Sequence, residues 1–250
     1  MSGHSKWSQI KRQKGANDAK RGQIFTKVGR EIAIAAREGG GDPDANYRLR
    51  LAIDKARSVN MPAENIKRAI ERAAGGSAAE QFEEIVYEGY GPGGVAILVE
   101  AATDNRNRTV ADVRAIFSRA GGQLAGAGSV AWQFEPRGVI AVPRDGIDPD
   151  EVALSAIDAG ADDIDTDGDP IEILTAPSTL EEIRRSLDSS GVAIESAELT
   201  MHPKAAIDVD VNVAHQNLRL IESLEDLDDV QRVTANFNLP AEVLAEAATP

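Results

Sequence analysis

IVYEGYGPGGVAILVEAAT, residues 85–103, decides the fold class. The first half closes one strand in a Gly91-Pro92-Gly93-Gly94 turn. The second half, Val95 to Thr103, is a short apolar run of the kind that forms a strand buried on both faces. Working outward in the C-terminal direction, Val110, Val113, Phe117 and Ala120 are spaced for one helical face, with Thr109 and Asp112 in a capping arrangement and Gly121-Gly122 as the stop. A small-residue loop, QLAGAGS (123–129), follows.

From Val130 to Pro203 the order of signals is strand (VAWQF with VIAVP), helix (PDEVALSAIDAG), strand near Ile164, strand (PIEILTA), helix (STLEEIRRSLDSSG) and strand (VAIESAELTM). That β-α-β-β-α-β order is ferredoxin-like. The unit before it has two strands and one helix, and the chain after it supplies a helix (Val213 to Leu227) and a strand (Gln231 to Asn238). A split domain interrupted by the 130–203 unit completes both sheets.

Upstream of the deciding stretch the period is helical. Ile24, Val28 and Ile32 lie four apart until Gly39-Gly40-Gly41; Leu49, Ile53 and Ala56 follow DPDA; Pro62 opens a third segment with Ile66, Ile70 and Ala73, closed by Gly75-Gly76. The expected class is α+β: an N-terminal three-helix basic bundle, then two ferredoxin-like α/β domains with the third inserted into the second. The expected boundaries are a flexible basic arm at 1–22, a helical domain at 23–76, a split domain at 77–129 plus 204–240, an insert at 130–203 and a tail at 241–250.

Charge divides along the same lines. The first 76 residues hold 16 of the 27 Lys and Arg against 8 acids, and the rest holds 11 against 33, so a chain of net charge −14 starts with a segment of net +8. Such density suits a polyanion, whereas the acidic remainder repels one. Candidate nucleic-acid contacts are His4, Lys6, Trp7, Lys11, Arg12, Lys14, Lys20, Arg21, Lys27 and Arg30. Trp7 adds an aromatic face that stacks on an unpaired base, which a tail serving only solubility does not need. Arg106 and Arg108 join this set from TDNRNRT (103–109), a loop between a buried strand and a helix N-terminus. Two readings stay open there: phosphate binding through guanidinium groups and free helix amides, or a loop bonded to itself through Asp104 and the Asn side chains.

Other chemistry finds little support. With no cysteine there is no disulfide, thiolate metal site or Cys nucleophile. The histidines His4, His202 and His215 are scattered, no catalytic or P-loop motif recruits them, and adjacent carboxylates such as Glu83/Glu84 are poorly placed to converge on one bond. Asp163, Asp165, Asp167 and Gly168 imitate a calcium loop, but its twelfth position is Leu174, and an acidic hairpin turn is the better reading. The longest apolar run, GVAILV at Gly94 to Val99, is far short of the ~20 residues that span a bilayer, and MSGHSKWSQIK leads into no apolar stretch. The expectation is therefore a cytoplasmic protein with no cofactor, no membrane and no small-molecule substrate.

Several segments recur together: GHSKW (3–7), DAKRG (18–22), IFTK (24–27), GGGDPDAN (39–46), YEGYGPGG (87–94), DNRNRTVADVR (104–114), GSVAWQF (128–134) and LEDLDDVQ (224–231). Through them the chain resembles the YebC/PmpR family from residue 3 to about 240. It departs at Gly121–Gly128, where GGQLAGAG stands in place of GGNLG, a polar residue and Gly. The resemblance implies a helical N-terminal domain and two α/β domains, the third inserted in the second. It also implies a regulator of gene expression without cofactor or turnover, catalogued as a probable DNA-binding transcriptional regulator. A mitochondrial relative activates translation of cytochrome oxidase subunit one, and a ribosomal role in relieving stalls at proline-rich stretches is also ascribed to the family. The implied partners are ribosomal or transfer RNA, or promoter DNA, with the ribosome itself. No helix-turn-helix spacing is evident and Trp7 suits unpaired bases, which favours RNA over duplex DNA. The competing class is a protein-interaction adaptor using the acidic α/β faces.

Overall fold

The computed structural model describes residues 18–74 and 82–248, and shows the α+β class. Three helices come first: α1 (Asp18–Gly39), α2 (Tyr47–Ser58) and α3 (Ala63–Ala74). Their shared core is Val28, Ile32, Leu49, Ile53, Ala56 and Ile66, with Ile24, Ile70 and Ala73 packed at its edge. Asn46 holds the first corner. Its side chain accepts from Leu49 N at 3.1 Å as the N-cap of α2 and donates to Ala35 O and Gly40 O at 2.7 and 2.8 Å, so one buried amide satisfies both helix ends. Helix α1 begins inside the segment expected as an arm. Lys and Arg are good helix formers, so the missing apolar stripe over residues 18–22 does not break the helix.

The second domain is built on β1 (Glu83–Tyr90) and β2 (Ala96–Thr103), paired antiparallel with Tyr87 opposite Val99. Helix α4 (Arg106–Arg119) follows, then β3 (Gln123–Ala125), which adds to β1. After the insert come β8 (Ile207–Asp208), α7 (Val211–Glu225), β9 (Val230–Ala235), β10 (Phe237–Asn238) and α8 (Ala241–Ala248). The sheet order is β3-β1-β2-β9, and β8 pairs with β10 separately. Ile97, Val99, Val113, Phe117, Leu218, Ile221, Leu224 and Val233 form the core, each such burial contributing roughly 1.5–3 kcal/mol before conformational costs. The Gly/Pro turn is shaped by α7: a Cβ on Gly91 would lie 2.1 Å from the Asn217 amide oxygen, and Gly93 has φ of +72°.

The insert is a compact unit over residues 134–202. It runs β4 (Phe134–Val142), α5 (Pro149–Asp158), β5 (Asp163–Asp165), β6 (Ile171–Thr175), α6 (Leu180–Ser189) and β7 (Ser196–Pro203). Its order β5-β6-β4-β7 is that of a ferredoxin-like sheet, with Ile140, Ile171, Ile173, Leu180, Ile183 and Leu187 fully buried. The Asp-rich segment is β5 and the turn to β6, where the Asp165 carboxylate accepts from Asp167 N at 2.9 Å.

Four local expectations are corrected. The split sheet has its β1–β2 hairpin at the centre, so only the insert follows the strict ferredoxin-like order. Helix α4 is capped by Asn105, which accepts from Arg108 N at 3.1 Å, while Thr109 is buried inside the helix. Within QLAGAGS, Gln123–Ala125 is an edge strand, too short for a periodic signal. The C-terminal residues expected as a tail include α8, because Val243 is drawn into the core beside Leu239.

Candidate nucleic-acid interface

Helix α1 meets the split domain through polar groups. Thr103 ends β2, Asn105 to Thr109 start α4, and Asp229 precedes β9, so three chain segments converge. Asp229 is 7% exposed. One of its oxygens accepts from Thr109 Oγ1 (2.7 Å), Arg108 (2.9 Å) and Thr103 Oγ1 (3.1 Å); the other accepts from Arg30 at 2.7 Å. Burial opposes its ionisation, but the hydrogen bonds from Thr109 and Arg108 and the charge of Arg30 outweigh it and hold the carboxyl below its ordinary range. Arg30 also donates to Asp228 O and Ala102 O and stacks 5.0 Å above the Phe82 ring centre. Beside it Lys27 donates to Glu225 O, and Arg37 to Phe82 O at 2.6 Å. Ile34, Phe82 and Ala102 complete the seam with a small apolar cluster.

The predicted contact residues therefore fall into three groups. His4, Lys6, Trp7, Lys11, Arg12 and Lys14 lie outside the described residues, and Lys20 sits in the first turn of α1 with its side chain undescribed. Lys27, Arg30 and Arg108 are engaged at the seam, Arg108 also with Asp104 at 2.7 Å, which with the Asn105 cap bonds the 103–109 loop to itself. Arg21 and Arg106 are exposed. A cavity of about 480 Å³ next to Asp229 is lined by Asp104, Asp112, Asp226, Asp228 and Asp229 against Arg30 and Arg108. Five carboxylates facing two committed guanidinium groups repel phosphate.

Residues outside the candidate set add to the outer surface. Arg68 and Arg72, one turn apart on α3, are exposed, as is Arg57 on α2. Their helical spacing was readable, but nothing in sequence ranks one solvated cation above another. The other such feature is a turn after β3. Glu88 on β1 is buried, and its carboxylate accepts from Gly128 N (2.6 Å), Val130 N (2.7 Å) and Ala131 N (2.8 Å). Burial raises its pKa, yet these backbone bonds, with Ser129, prevail and lower it. The turn so gathered carries Trp132, whose residue surface is 68% exposed. VAWQF reads as strand because its residues are β-prone, but Ala131–Gln133 is a 3-10 turn before β4 begins at Phe134.

Residues 5–76 match the family described as the TACO1/YebC protein N-terminal domain, and residues 82–237 match the TACO1/YebC second and third domain. A protein of Rubrobacter xylanophilus named probable transcriptional regulatory protein is 53% identical over 99% of this chain and 100% of its own. One of the same name from Chloroflexus aurantiacus is 56% identical over 98% of each chain. A crystal structure titled as a conserved hypothetical protein Aq1575 from Aquifex aeolicus superposes with a TM-score of 0.86 at 46% identity, covering 91% of this chain and 94% of that one.

Proposed function

The chain belongs to the TACO1/YebC family, and from that premise we propose that it is a non-enzymatic nucleic-acid-binding regulator of gene expression, acting on RNA at the ribosome. The observation that carries this reading is the charge division: net +8 over residues 1–76 on a chain of net −14. The arm's Lys6, Lys11, Arg12 and Lys14 grip phosphates, with Lys20 and Arg21 at the start of α1 continuing the track and Trp7 stacking on an unpaired base. The seam supports a division of labour, since Lys27 and Arg30 hold the bundle to the split domain and Arg108 is tied to Asp229 within it. The acidic body restricts which face approaches a polyanion. The relatives' name, probable transcriptional regulatory protein, fits a regulator; the stacking group and a sequence in which no helix-turn-helix spacing is evident favour RNA over duplex DNA. In this reading the protein works in the cytoplasm and relieves ribosomes stalled at proline-rich stretches, without cofactor or turnover.

The test compares wild type with K11E/R12E/K14E in ribosome co-sedimentation and promoter-fragment binding at several salt concentrations. If about six cations meet duplex phosphates, log K falls against log salt with a slope of roughly −5, and the variant loses about half of it and more in affinity. Loss of ribosome association with only weak, sequence-indifferent DNA binding supports action on RNA. Sequence-selective DNA binding lost in the variant assigns the protein to transcription instead. A variant that retains full association with both overturns the nucleic-acid reading and leaves the adaptor.

A further inference from the structure

Two exposed aromatic rings, Trp132 on the turn after β3 and Tyr90 at the end of β1, are both tied to that turn. Trp132 Nε1 and Tyr90 Oη each donate to one acceptor, Ser129 O, at 3.1 and 3.0 Å. Each ring thus spends its only donor, or its usual one, inside the protein and offers solvent its face. The support is rigid. Glu88 binds the amides of Gly128, Val130 and Ala131, and the Gln133 side-chain oxygen accepts from Asn236 Nδ2 at 2.9 Å. Lys204 N donates to Gln133 O at 2.8 Å, and Lys204 Nζ to Trp132 O at 2.9 Å. An exposed lysine, its ammonium keeping two further N–H groups, is therefore held at the backbone of the residue that carries the exposed indole.

We propose that Trp132, Tyr90 and Lys204 form a nucleotide platform, on which an unpaired base stacks against the indole while the adjoining phosphate meets the ammonium. The occupant follows from the paired chemistry. A π-face alone accepts a base or a proline ring, but an uncharged proline-rich segment offers the ammonium only carbonyl oxygens and no counter-charge, whereas a nucleotide brings an anionic phosphate. With the donors of both rings internally satisfied the aromatic faces read no base edges, so they accept any base, and their prior order reduces the entropy lost on binding. It lies in the acidic part of the chain, independent of the basic arm, and rests on the nucleic-acid reading above.

The experiment uses the full chain carrying Trp7→Phe, which leaves Trp132 as the sole tryptophan of the two. The probes are a 12-nucleotide oligo(A) RNA, an abasic ribose-phosphate oligomer of equal length and an uncharged oligoproline. Stacking quenches Trp132 emission with oligo(A) and not with the abasic chain. Trp132→Ala weakens oligo(A) binding roughly five- to a hundredfold with the salt slope unchanged, Trp132→Phe restores most of it, and Lys204→Gln lowers the slope by about one. Trp132→Ala binding like its parent, equal quenching by the abasic oligomer, or quenching by oligoproline but not RNA overturns the platform. K11E/R12E/K14E separates the readings. If it alone abolishes RNA binding the platform fails and the arm stands; if only Trp132→Ala does, the reverse holds; if the parent binds no RNA, both fail.

Discussion

Asp229 and Glu88 are both buried carboxylates held ionised, one 7% and the other 6% exposed, but they are satisfied by different chemistry. Asp229 draws in Arg30 and Arg108 from elements far apart in sequence and so joins α1 to the sheet. Glu88 uses only uncharged backbone amides from one turn. The difference shows why a count of cations overstates the surface offered to a partner. At Asp229, charge is consumed by architecture. At Glu88 no cation is spent, and the neighbouring rings and Lys204 remain exposed on an ordered turn.

The largest effect expected from this contrast is at Asp229. Asp229→Ala leaves Arg30, whose side chain is 14% exposed, without its counter-charge, and breaking a buried pair in this way costs about 3–5 kcal/mol. Thermal or urea unfolding of the full chain checks it. A loss below about 1 kcal/mol would show that the seam is not the joint between bundle and sheet.

Glu88→Gln comes second, because it preserves shape while turning an amide donor toward the turn's N–H groups, at about 1–3 kcal/mol. Its signature is pH-dependent. The folded-state pKa of Glu88 lies below the unfolded value of about 4.3, so the stability it adds is complete at neutral pH and disappears as pH falls through the lowered value. The gap in Tm between wild type and Glu88→Gln is therefore full at pH 7 and shrinks below about pH 4.5. A gap constant from pH 7 to 3 breaks the assignment of the carboxylate as the ionised clamp.

Neither carboxylate site was legible in the sequence, and the reason is separation. Helices announce themselves locally: Val28 and Ile32, Leu49 and Ile53 repeat at the helical period and are buried as that period demands. The insert's strand and helix order was readable for the same reason, since each element carries its own pattern. Arg30 and Asp229 stand 199 positions apart, and a charge pair leaves no periodic trace. Arg30 therefore reads as one more cation of a basic segment. Trp132 was hidden differently. Its neighbours favour a strand, and only the pull of Glu88, 42 to 43 positions upstream of the Val130 and Ala131 amides, turns the segment outward.

The smallest effect on stability, and the finest test of the contrast, lies within one turn of α4. Arg106 and Arg108 are equal in sequence terms, both in the loop-to-helix segment. Arg108 is tied to Asp104 and Asp229, whereas Arg106 is exposed, its backbone oxygen 3.5 Å from the Tyr87 hydroxyl. Arg106→Ala should change unfolding stability by no more than about 0.5 kcal/mol. If Arg106 meets a phosphate, the same change lowers the salt slope of RNA binding by about one. Arg108→Ala should do the opposite, lowering Tm measurably through Asp229 while leaving the slope in place. If the two variants exchange these phenotypes, cations paired with Asp229 remain available to nucleic acid, and ion pairing at the seam does not decide which charges the partner sees.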